Sequence, residues 1–97
     1  MVRERAEELV RLAEELTPGE LTGEMAGDLA RVRQAARMVR DEAIRLDGNL
    51  DSRQIRHDLR NPLGALIGYA DLLTEDGVDL TAIRSAALEL LAVLEKL

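Results

Sequence analysis

His57-Asp58-Leu59-Arg60-Asn61-Pro62-Leu63 joins the only histidine of the chain to a proline set inside an unbroken apolar pattern. Ile55, Leu59, Leu66, Ala70 and Leu73 recur at helical intervals across Pro62, so the periodicity predicts a helix that runs through the proline. A proline inside a helix costs about 3 kcal/mol. Its missing amide leaves the carbonyl of Asp58 without an i+4 donor, which is expected to bend the helix one turn beyond the histidine. Strain of that kind beside a titratable nucleophile points to function more than to packing.

The neighbours of the histidine along the same helix sharpen this. His57, Asn61, Gly64, Gly68 and Asp71 form a second stripe, largely distinct from the apolar one, so the histidine is expected to face outward. Each glycine in a helix costs about 1 kcal/mol relative to alanine. Here Gly64 and Gly68 either clear side chains from the surface beside His57, so that a partner's loop can approach, or allow tight contact between helices.

Working outward, this helix is expected to start with Asp51 as N-cap, Gln54 at N3 and a staple between Leu50 and Ile55, and to end at Thr74 or Glu75 before the turn Asp76-Gly77. Asp79 then caps a last helix carrying Leu80, Ile83, Ala87, Leu90, Leu94 and Leu97. Two helices and a short loop make an antiparallel hairpin. Toward the N-terminus, Val2, Ala6, Leu9, Ala13 and Leu16 mark a helix over residues 2–16. Thr17-Pro18-Gly19-Glu20 is expected to start the next, with Thr17 as N-cap and Glu20 closing a capping box. That helix carries Met25, Leu29, Val32, Ala36, Val39, Ala43 and Leu46, the clearest coiled-coil seam in the chain, and ends near Asp47-Gly48-Asn49, where a turn is favoured over one continuous helix. Strand-like alternation is missing throughout.

Composition limits the function classes. Ninety-seven residues with one tyrosine and no Phe or Trp give a core of Leu, Ala, Val and Ile. Such a core suits narrow helix seams and, at this size, predicts an oligomer. There is no cysteine, so neither disulfides nor a thiolate metal site is expected, and no metal site at all. No apolar run approaches the roughly 20 residues of a membrane span. The opening Val2-Arg3-Glu4-Arg5 is unlike a signal peptide, and the chain reads as cytoplasmic. A net charge of −6 argues against nucleic acid, although Arg33, Arg37 and Arg40 share one face. Glu24, Asp28, Asp41 and Glu42 lie among those arginines, which predicts a solvated face of i, i+4 ion pairs.

The stretch at His57 resembles the H-box of sensor histidine kinases: histidine, an acidic residue, two variable positions, asparagine or threonine, proline, then an apolar residue. Every position matches. The resemblance continues through Leu63-Gly64-Ala65-Leu66-Ile67-Gly68-Tyr69-Ala70-Asp71-Leu72-Leu73 and over residues 79–97, covering about half the chain. It implies an all-α dimerisation and histidine-phosphotransfer domain, whose helical hairpin pairs with that of a second copy to form a dimeric four-helix bundle. On this reading residues 50–97 are the phosphotransfer hairpin, and residues 1–49 are an N-terminal helical or coiled-coil segment of two helices.

The resemblance also implies roles. His57 would be the phosphoacceptor, its neutral imidazole attacking phosphorus in line to give a phosphoramidate. Asp58 would orient the imidazole or accept its proton, although adjacent helical residues project about 100° apart and spacing alone does not ensure contact. Asn61 would position water for dephosphorylation of a partner regulator, as in bifunctional relatives, and Pro62 would supply the structural kink. Arg56, Arg60, Gly64 and Gly68 would meet the docked partner. Such kinases bind ATP with Mg in a separate domain, and nothing after Leu97 supplies one, nor does any P-loop occur. The expected partners are thus a second copy, a response-regulator receiver domain, and an ATP-binding kinase domain acting in trans or in cis on a longer protein. The chain itself would hold no cofactor, and its status as an enzyme is open. The competing reading is a non-catalytic helical dimerisation, signal-transmission or regulator-docking module.

Overall fold

The computed structural model describes residues 2–16, 19, 21–45 and 52–96. Among these there are four helices and no strand: α1 Val2–Glu15, α2 Gly23–Arg45, α3 Ser52–Glu75 and α4 Thr81–Glu95. Each has one apolar stripe. Ala6, Leu9 and Ala13 are buried on α1; Leu29, Val32, Ala36, Val39 and Ala43 on α2; Leu59, Leu63, Leu66, Ala70 and Leu73 on α3; and Ile83, Ala87, Leu90 and Leu94 on α4. Apart from Leu63, these are residues that the periodicity places inside. Ala35 and Pro62 are buried as well.

The helices pack as a ring, α1 on α2, α2 on α3, α3 on α4 and α4 back on α1. Side-chain ties fix an antiparallel order. Arg45 of α2 reaches Asp58 near the start of α3, Arg60 of α3 reaches Glu95 at the end of α4, and Arg84 near the start of α4 reaches Asp71 toward the end of α3. Arg5 of α1 meets Glu89 of α4. Within one chain, α1 and α2 thus pack beside the α3–α4 hairpin, and their buried Leu, Val and Ala cover part of its apolar face.

Local signals explain the boundaries. α3 ends in a Schellman arrangement, in which the Val78 amide donates to the Leu73 carbonyl at 2.9 Å and the Gly77 amide to Thr74 at 3.1 Å. Gly77 adopts φ +93°, a conformation that suits glycine. The Asp79 carboxylate then accepts the Thr81 amide at 3.0 Å and so satisfies one of the first free donors of α4.

The second helix begins later than the sequence suggested. Thr22 is its cap, its hydroxyl accepting the Met25 amide at 3.2 Å, and Gly19 and Leu21 are not helical. Thr17, Pro18 and Glu20, proposed for that role, lie outside the described residues. So do Leu46, the break at Asp47-Gly48-Asn49, and the cap and staple at Leu50 and Asp51.

The arginine face of α2 also differs from expectation. Arg33 donates to the carbonyls of Ala13 at 3.1 Å and Leu16 at 2.8 Å, closing the C-terminal end of α1, and Arg37 pairs with Glu14. Asp28 is buried and paired with Arg31 at 3.2 Å, and the Arg31 guanidinium sits 5.6 Å from the centre of the Tyr69 ring on α3. These arginines tie helices together rather than only lining a wet face.

Candidate functional site

His57 lies near the start of α3, beside the last turn of α2. Its side chain is 79% exposed, whereas that of Asp58 is 17% exposed, in the crevice between α2 and α3. The two still meet: His57 Nδ1 is 3.2 Å from Asp58 Oδ1. A contact that helical spacing left open is therefore made.

The Asp58 carboxylate is held from two further directions. Gln54, one turn earlier, donates Nε2 to both oxygens at 2.9 Å, and the Arg45 guanidinium donates to Oδ2 at 2.9 Å. The Gln54 amide, then His57, then the Arg45 charge keep the Asp58 carboxyl below the usual aspartate range, against the opposing effect of desolvation. An ionised Asp58 can only accept a hydrogen bond, so this contact favours the tautomer with the proton on Nδ1 of His57, whose Nε2 lone pair is turned away from the carboxylate.

Asn61 shares the exposed face one turn after His57, and its amide has no hydrogen-bond partner among the described residues. Both residues border two shallow depressions. One, of about 270 Å³, is lined by Arg53, Arg56 and Arg60. The other, of about 400 Å³, opens toward α2 and is lined by Met38, Glu42, Arg45, Asp58 and Pro62. A larger cleft of about 620 Å³ sits at the opposite end of the bundle, where Glu15, Asp76 and Asp79 border Leu12, Leu16, Leu21, Met25 and Val78. Among the described residues that line it there are acids but no Ser, Thr, Cys, Lys or His.

Pro62 is inside α3, as the pattern predicted, and is buried. Gly64 and Gly68 are exposed, and a Cβ at either would meet nothing within 4 Å. Tight helix contact inside the bundle is thus not their reason. Arg56 has no ion pair among the described residues, while Arg60 reaches Glu95 at 3.3 Å. Asp71, at the far end of the stripe, pairs with Arg84 at 2.8 Å and ties α3 to α4.

Sequence reading missed Arg45 and the task of Gln54. Gln54 was legible, since it precedes Asp58 by one helical turn. Arg45 was not, because its place depends on how α2 packs on α3.

Residues 52–97 match the family described as His Kinase A (phospho-acceptor) domain. Domains of this family are helical hairpins that typically dimerise and serve two-component systems. No curated protein and no solved structure matches the chain. The segment that matches the His Kinase A phospho-acceptor family is thus the hairpin of α3 and α4, with an exposed histidine on its first helix and the H-box around it.

Proposed function

We propose that the chain is a histidine-phosphotransfer module of two-component signalling, with His57 accepting a phosphoryl group and passing it to, or taking it from, an aspartate of a response-regulator receiver domain. The observation that supports this most is the pairing of an exposed imidazole with a carboxylate held at its Nδ1, 3.2 Å away. The Nε2 lone pair forms the nitrogen–phosphorus bond while the phosphorus–oxygen bond to the donor breaks, and the leaving oxygen keeps that electron pair. Positive charge gathering on the ring is met by Asp58. ATP with Mg belongs to a separate kinase domain, in cis on a longer protein or in trans.

Asn61, exposed and with a free amide, orients the water that dephosphorylates the docked regulator. Arg56, Arg60, Gly64 and Gly68 form the surface on which an acidic receiver face settles, with the arginines supplying charge and the glycines close approach. The module pairs with a second copy, as domains of this family typically do.

Incubation with a phosphorylated receiver domain, or with ATP and a compatible kinase domain, tests the reading. We expect acid-labile, base-stable label on the wild-type chain and none on His57→Gln of equal helicity. Label retained in that variant sinks the assignment of His57. A chain that binds the receiver domain but never takes label is instead a docking module.

A further inference from the structure

The α1–α2 hairpin does more than cover the core, because its last turn reaches the site. Arg45 donates to Glu42 at 2.7 Å within α2 and to Asp58 Oδ2 at 2.9 Å across to α3. Gln54 donates to both oxygens of the same carboxylate along α3 at 2.9 Å, and Oδ1 also faces His57 Nδ1 at 3.2 Å. The anchor sits in the crevice with Asp58 17% exposed, while the nucleophile stands in solvent at 79%.

We propose that Arg45 is a positioning residue for phosphoryl transfer: by fixing Asp58 it keeps the proton of neutral His57 on Nδ1 and presents the Nε2 lone pair. The inference rests on the phosphotransfer reading of His57. Imidazole in free histidine favours the proton on Nε2, which would leave the lone pair on Nδ1, toward the carboxylate. A carboxylate tethered on one side only, by Gln54, turns about its own side-chain bonds. The cation on a second helix stops that rotation and keeps Asp58 ionised. The other charges facing this pair are Glu42 on α2 and Arg53, Arg56 and Arg60 on α3, with Glu95 of α4 taken up by Arg60. The N-terminal hairpin thereby supplies part of the site on the matched hairpin.

The test uses the full chain labelled with nitrogen-15. At a pH where the imidazole is neutral, the ring nitrogen shifts are expected to report mainly the Nδ1–H form in the wild type. Arg45→Gln, close to arginine in helix propensity, is expected to move the population toward Nε2–H and slow transfer from a phosphorylated receiver domain on the order of tenfold. Arg45→Lys restores a cation and should recover part of both. Arg40→Gln, which loses only the pair with Asp41, should change neither. An unmoved tautomer in Arg45→Gln, or an equal loss of transfer in Arg40→Gln, overturns the assignment of Arg45. The tautomer is read without any phosphoryl group, so a wild-type chain that takes no label overturns the reading of His57 separately.

Discussion

Asp58 is the residue whose electrostatics are most sharply defined, because three groups stabilise its charged form. Its folded pKa is depressed by the Gln54 amide first, then by His57 and Arg45. The sign follows: these contacts stabilise the fold above the ordinary aspartate value of about 3.9, and that contribution is lost as pH falls through the lowered value. Carbon-13 titration of the Asp58 carboxyl should give a midpoint below that of a free aspartate, and Asp58→Asn should flatten the acid limb of stability against pH. Asn61 and Pro62 are expected to separate two steps. Asn61→Ala should reduce dephosphorylation of a partner regulator while His57 still takes label. In Pro62→Ala the regained amide bonds the Asp58 carbonyl, and a helical proline costs about 3 kcal/mol. The buried ring gives up two methylenes at about 0.8 kcal/mol each. The balance is a gain of about 1 kcal/mol, or roughly 5 °C in Tm by thermal melting, with altered transfer through a changed setting of His57.

α3 carries both the internal proline and the open surface, and its glycines lie on the latter. A methyl group at Gly64 or Gly68 meets nothing within 4 Å. Gly64→Ala and Gly68→Ala should therefore each raise stability by about 0.5–1 kcal/mol in denaturant unfolding, while weakening receiver-domain binding if a partner's loop settles there. Gly77→Ala should do the opposite and destabilise, since φ +93° strains any side chain. Thr22→Ala should cost about 1 kcal/mol with the loss of the α2 cap. At this scale the sequence was largely readable, because apolar spacing and turn residues act locally. Asp76-Gly77 announced the end of α3, and Leu80, Ile83, Ala87, Leu90 and Leu94 announced the buried face of α4. The start of α2 was misread because Thr17-Pro18 and Thr22 both carry cap chemistry, and only packing chooses between them.

The closed bundle changes how the whole molecule is expected to behave. Leu9 on α1 is fully buried, so Leu9→Ala should cost about 2–5 kcal/mol in a single cooperative transition. An α1 that merely trailed from the hairpin would lose almost nothing. That ring was not legible in advance. Periodicity tells which face of a helix seeks cover, but not whether the cover comes from the same chain, and for the same reason neither Arg33 at the end of α1 nor Arg45 at Asp58 was foreseen. His57, its neighbours and its outward face were legible, since they lie on one helix. Exposed large apolar side chains among the described residues are Met38, Ile44, Leu72 and Leu88, spread over three helices. Native mass spectrometry after incubation with a phosphorylated receiver domain tests the central claim most directly. One acid-labile phosphoryl group per chain, absent from His57→Gln, is the predicted result; no added phosphoryl group, or one that persists in that variant, would contradict it.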